Sequence, residues 1–146
     1  WRNPYAMSKH YMESIAPHNA LGMRFTTVYG SGAREQMLIP KILKDDVDYI
    51  NVDHSRDFIH IDDILTAIGF LIVNPLPKKP KFVDVGTGIS NKLIDIFDHL
   101  NMTIKDKRMG TIYERKDNVA KIGTLSKMGW IPQTNLLDYL KENYDN

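Results

Sequence analysis

The chain contains no cysteine, which excludes a disulfide framework and a thiolate metal centre and suits a cytoplasmic compartment. It also lacks a surplus of charge of either sign. Nineteen Lys+Arg against 18 Asp+Glu leave a formal net charge of +1, so the lopsided basic face of a nucleic-acid or membrane-surface binder is missing and neither partner is expected. The longest apolar run, Ala67-Ile68-Gly69-Phe70-Leu71-Ile72-Val73, is far too short to span a bilayer. His10, His18, His54, His60 and His99 show no metal-ligand spacing, and no metal is expected. No internal repeat or low-complexity tract is present. What remains, 42% hydrophobic and 25% charged over 146 residues, is the composition of one globular domain with a sizeable core.

Helix and strand signals alternate along the chain. Asn3 can cap a helix that starts on Pro4 and runs to about Ala16. Residues 21–29 read as one strand of β-branched and aromatic residues, stopped by Gly30-Ser31-Gly32. A helix is predicted from Glu35 to Lys44, a strand at 57–61, and an apolar helix at 64–73 capped by Asp62 or Asp63. After Pro75, Pro77 and Pro80 come a strand at 81–85, a helix from Asn91 to about Leu100 capped by Ser90, and a strand near 111–113. Two short helices, about 124–128 and 136–143, close the chain. This alternation predicts an α/β layer architecture.

The first residues raise the question of chemistry. Tyr5 and Lys9 lie one helical turn apart, so an ammonium can lower the pKa of a phenol that is otherwise about 10 and make it a usable base. The spacing alone does not separate an active site from two surface side chains. The order of the segments does. Asn3-Pro4-Tyr5-Ala6-Met7-Ser8-Lys9 resembles a PYxxSK helix, Met23–Gly30 an LRxxNVYG strand, and Arg56–Asp63 an RDFxxVDD segment. Val85-Gly86-Thr87-Gly88 resembles an NxGTG turn, and Ser126–Pro132 a closing SK…LGWxP signature. In this order they resemble the extended short-chain dehydrogenase/reductases, in particular the NAD-dependent epimerases and dehydratases of nucleotide sugars.

The resemblance implies a fold, a cofactor and a substrate class. The chain would be the C-terminal half of a Rossmann-like doubly wound parallel sheet together with the small substrate-binding lobe, over residues 1–146. A glycine-rich GxxGxxG turn and a Ser/Thr some twenty residues before the tyrosine belong to the family and have no counterpart here; the turns at 30–32 and 86–88 do not continue as that fingerprint. The chain also opens on Trp1 rather than methionine, and a fragment, inactive by itself and prone to form a homo-oligomer through its uncovered faces, is expected. In the family, NAD supplies the hydride chemistry. Tyr5 would be the acid/base, Lys9 its electrostatic partner and a contact to the cofactor ribose, and Val28 a further cofactor contact.

A nucleotide-diphosphate sugar is the implied substrate. Arg56 matches the arginine that contacts the diphosphate, a role suited to guanidinium geometry; the alternative is a surface salt bridge with Asp57. Arg34 sits in the loop where relatives carry a substrate-facing arginine. Arg115 and Asp117 lie in Glu114-Arg115-Lys116-Asp117, which resembles an ERxGD segment but is one residue shorter and lacks its glycine. Thr27 stands where the family has a substrate-reaching asparagine, and its shorter side chain loses or water-bridges that contact. Asp62 and Asp63 read as capping residues, while His60 and Trp130 read as structural. The expected activity is a UDP-sugar 4-epimerase; a 4,6-dehydratase or reductase of the same family, or a non-catalytic binding remnant, are the alternatives. Strands 25–28 and 82–85 are expected in different parts of the unit, the second near the substrate lobe.

Overall fold

A computed structural model describes residues 3–76 and 82–144. The first helix, α1, spans Pro4–Ser14. The Asn3 carboxamide accepts the Ala6 N–H at 2.8 Å, and Pro4 occupies the first turn, where its missing N–H costs nothing.

The predicted strand over 21–29 is two strands with different partners. β1 (Gly22–Phe25) pairs in parallel with β6 (Phe82–Val85), placing Phe25 opposite Val85. β2 (Thr27–Tyr29) pairs in parallel with β5 (Phe58–His60). The handover falls at Thr26, whose N–H donates to Val85 O at 3.1 Å, while the next N–H, that of Thr27, donates to Asp57 O at 2.9 Å. Of the strand expected at 25–28, Phe25 therefore lies beside Val85 of 82–85, not in a different part of the unit, while Thr27 and Val28 pair with β5. Lys81 lies outside the described residues.

The remaining elements also shift the predicted boundaries. α2 is only Leu38–Leu43, and a strand absent from the sequence reading, β3 (Tyr49–Asn51), pairs in parallel with β8 (Asp106–Arg108). β4 (Ser55–Arg56) pairs antiparallel with β7 (Asn91–Lys92), so α4 begins at Leu93 and ends at His99 with Lys92, not Ser90, at its N-cap. Residues 111–113 form a turn rather than a strand: Glu114 takes the Thr111 N–H on its carboxylate at 2.8 Å. α5 (Gly123–Lys127) and α6 (Leu136–Tyr144) stand close to their predicted positions.

α3 runs from Ile61 to Val73, three residues longer at its start than predicted. Its N-cap is His60, whose Nδ1 accepts the Asp62 N–H at 3.3 Å, so neither aspartate caps it. Asp63 is buried and instead accepts the N–H groups of Gln133 (2.8 Å) and Thr134 (3.0 Å), tying α3 to the C-terminal segment.

Two apolar cores flank the parallel pairs. Phe58 joins Tyr29, Ile42, Phe97 and Leu140 in one, while its neighbour Ile59 joins Ile64, Ala67, Val85 and Leu125 in the other. Consecutive strand residues point to opposite faces, so a strand covered on both sides must be apolar throughout. Trp130 packs in the second core, its indole N–H donating to Thr66 Oγ1 at 3.2 Å.

Candidate active site

α1 carries Tyr5 and Lys9 onto the wall of an open cleft of about 960 Å³. Its other lining comes from β1, β2 and the loop after Gly30, and includes Thr26, Thr27, Val28, Arg34 and Asn118. The structure thus brings together five of the residues singled out in the sequence: Tyr5, Lys9, Thr27, Val28 and Arg34. Tyr5 is 70% exposed, and the Lys9 Nζ stands 5.4 Å from the centroid of its ring. The Ser8 hydroxyl is spent within the helix, donating to Tyr5 O at 2.8 Å. Arg34 is exposed, its Nη2 3.8 Å from Met37 Sδ.

Arg56, Arg115 and Asp117 do not line this cleft. They belong to an adjoining polar cluster. Arg56 forms no ion pair with Asp57; its Nη1 donates to Ser55 O (2.6 Å) and Lys116 O (3.0 Å), and its Nη2 to His54 Nδ1 (3.1 Å). Burial lowers its pKa from the ordinary arginine value, opposed by the charges of Glu114 and Asp117. Three hydrogen bonds leave two of the five N–H donors of a guanidinium for a ligand. Arg115 is exposed, and Asp117 accepts the Ser90 hydroxyl at 2.8 Å.

Asp57 does something the sequence reading missed. Fully buried, its carboxylate accepts the Thr87 N–H (2.9 Å), the Thr87 hydroxyl (2.6 Å), the Gly88 N–H (2.9 Å) and the Ala120 N–H (3.0 Å). Its own N–H donates to Asn118 O at 2.9 Å. One side chain therefore fixes the 86–88 turn and hangs the segment carrying Asn118 over the cleft. This also accounts for the glycine at 86, since a Cβ there would stand 2.6 Å from Asp57 Oδ2 and from Ala120 Cβ. Gly30 is a packing glycine too: its φ is +111° and a Cβ would meet the His60 ring at 2.6 Å.

Two buried polar groups bear on the cleft. Thr26 lines it, and its Oγ1 has no hydrogen-bond partner among the described residues. Tyr29, at the cleft's inner edge, is buried edge-on against His60 and Tyr139 with ring centroids 5.1 and 5.0 Å away. Burial, reinforced by the charge of Asp63, pushes its phenol pKa well up and rules it out as a base near neutrality. Among the described residues no group of His, Cys, Asp and Glu could hold a metal ion, and no helix is long and apolar enough to cross a membrane.

Tyr5 and Lys9 thus stand on an open cleft of a parallel-stranded α/β unit. The profile of the NAD dependent epimerase/dehydratase family matches residues 1–86, and the chain belongs to that family. Curated relatives include the CDP-abequose synthases of Salmonella muenchen (26% identical, 85% of this chain, 46% of the relative) and Salmonella typhimurium (30%, 94% and 53%). The chain spans about half the length of these relatives. Among solved structures, an NAD-dependent NDP-hexosamine 5,6-dehydratase of tunicamycin biosynthesis superposes with a TM-score of 0.79 at 23% identity, covering 99% of this chain and 53% of that one. The UDP-glucuronic acid 4-epimerase of Bacillus cereus, solved with UDP-glucuronic acid and NAD, gives 0.73 at 22% identity, over 95% and 49%. These likenesses establish a Rossmann-like fold.

Proposed function

We propose that the protein carrying this chain is an NAD-dependent enzyme acting on a nucleotide-diphosphate sugar, with a UDP-sugar 4-epimerase as its reaction. The observation that carries this reading is the convergence of Tyr5, Lys9, Thr27, Val28 and Arg34 on one cleft. The donor set suits the reactive end of a nicotinamide cofactor: a phenol and an ammonium on one helix face, and in Thr26 a cleft-lining hydroxyl with no partner among the described residues. Tyr5, Lys9 and Val28 would hold that end. Bound there, NAD would supply the reversible hydride chemistry that the reaction needs.

The chain's own residues handle protons and position. Tyr5 takes the proton of the sugar hydroxyl and gives it back, with the Lys9 ammonium, 5.4 Å from its ring centroid, as its charged partner. Arg34, from the cleft, and Arg56, from the adjoining cluster with Arg115 and Asp117, hold the diphosphate and ribose. Binding energy from that remote part of the substrate is then available to orient the sugar at Tyr5. Thr27 offers only a hydroxyl to the sugar.

A second reading is a dehydratase or reductase of the same family acting on a CDP-sugar: the curated relatives are CDP-abequose synthases and one solved neighbour is a 5,6-dehydratase. Incubation of the complete gene product with UDP- and CDP-hexoses and NAD, with products read by NMR, separates them. An inverted C4 hydroxyl supports the epimerase; loss of water or net reduction supports the alternative. No product with any nucleotide sugar favours a binding remnant. The isolated 146-residue chain is proposed to be silent and to self-associate, since Tyr5, Met7, Tyr11 and Met12 of α1 and Ile15 just after it are more than half exposed.

A further inference from the structure

Tyr5, Lys9 and Glu13 stand at successive turns of α1, and all three line the cleft. Glu13 has no place in the proton chemistry, yet it makes the strongest polar contact of the helix. Both its oxygens are taken by one guanidinium: Arg24 Nε donates to Oε1 and Nη2 to Oε2, each at 2.7 Å. Arg24 is itself oriented by the sheet, with Asp84 Oδ1 at 3.8 Å and the Phe82 ring centroid at 5.1 Å. A two-pronged bond between planar groups fixes direction as well as distance.

Within this chain α1 has no fully buried residue, and the two-pronged fork ties it to β1. We propose that the Arg24–Glu13 ion pair is the positioning device of the reaction, clamping α1 against β1 so that Tyr5 and Lys9, two turns and one turn away, stand at the correct depth in the cleft. Because a helix is stiff over this length, a tilt released at Glu13 is carried to Tyr5. Glu13 and Arg24 are thus positioning residues; neither touches the reacting atoms. The proposal rests on the reading of Tyr5 given above.

The test uses the complete gene product and four variants: Glu13→Gln, Arg24→Met, the pair reversed as Glu13→Arg with Arg24→Glu, and Tyr5→Phe. Either single change should lower kcat about tenfold or more, with KM for the nucleotide sugar within about twofold, since a misplacement near 1 Å can cost about a hundredfold. The double change Glu13→Gln with Arg24→Met should cost no more than one single change, and the reversed pair should recover part of kcat. A purely structural pair would lower Tm in the same variants while leaving kcat per folded molecule unchanged, and that result overturns the proposal. Additive losses in the double variant, or no recovery on reversal, also overturn it. Full turnover by Tyr5→Phe would instead remove the Tyr5 reading, and the positioning role with it, whereas an inactive Tyr5→Phe beside a fully active Glu13→Gln removes the positioning role alone.

Discussion

Helices α1 and α3 are of similar length, 11 and 13 residues, and they are held in opposite ways. α3 buries Asp63, Ile64, Ala67 and Leu71 along one stripe, and a histidine caps it. α1 buries nothing and is joined to the sheet by a charged fork. Packing gives α3 stability over the whole molecule and leaves it no chemistry to perform. Within this chain α1 adds nothing to the core, and its Tyr5 and Lys9 line the cleft.

The largest expected effect breaks the comparison on the functional side. Tyr5→Phe in the complete protein should lower kcat by about 10²- to 10⁴-fold, the range for removal of a general acid/base, with Tm unchanged. A second change acts on the frame rather than on either helix. Asp57→Ala strips the partner from the N–H groups of Thr87, Gly88 and Ala120, and equilibrium denaturation should show a loss of about 3 kcal/mol or more. Ile64→Ala, on the buried stripe of α3, should cost about 2–4 kcal/mol by the same measurement. Its counterpart on α1, Met7→Ala, at a position 56% exposed, should stay within about 0.5 kcal/mol. Equal losses from the last two would show that α1 is packed against something in the complete protein.

The same contrast explains what could be read from the sequence. α1 was legible because its Asn3 cap and Pro4 are local signals, and α3 because of its apolar spacing, though not its His60 cap. The break at Thr26 was not, because each half of 22–29 is a good strand and only the partners, Val85 and Asp57, distinguish them. Tyr49–Asn51 escaped notice for the same reason: three residues between polar ones become a strand only beside 106–108. Thr111-Ile112-Tyr113 has strand composition, and one carboxylate, that of Glu114, bends it into a turn. In the site, the order of the motifs, rather than the Tyr5/Lys9 spacing alone, pointed to Tyr5 and Lys9, and one further i+4 step reaches Glu13. The role of Asp57 was hidden because the residues it binds lie 30 to 63 positions away.

The smallest effect sharpens the comparison, because the anchor of α1 is an ion pair that acid can break, whereas Ile64, Ala67 and Leu71 of α3 hold by apolar packing. Arg24 hydrogen bonding holds the Glu13 carboxyl below its ordinary 4.5. A depressed carboxylate stabilises the folded state fully above its unfolded pKa and loses that contribution as pH falls through the folded value, so the clamp should weaken below about pH 4.5 and not above it. With side chains 52% and 29% exposed, the contribution is small and salt weakens it further. Asp53 supplies an internal reference: the Lys116 ammonium and the Gly110 N–H keep its carboxyl down at about 2. In the complete protein, the Arg24 Nε–H resonance should broaden or shift first as acid is added, and the Gly110 amide, which donates to Asp53 at 2.8 Å, should follow only near pH 2. The core signals of Ile64 and Leu71 should hold through the first step. Simultaneous loss of all three sets of signals would mean that α1 is released only by global unfolding, and the distinction between a packed helix and a clamped one would fail.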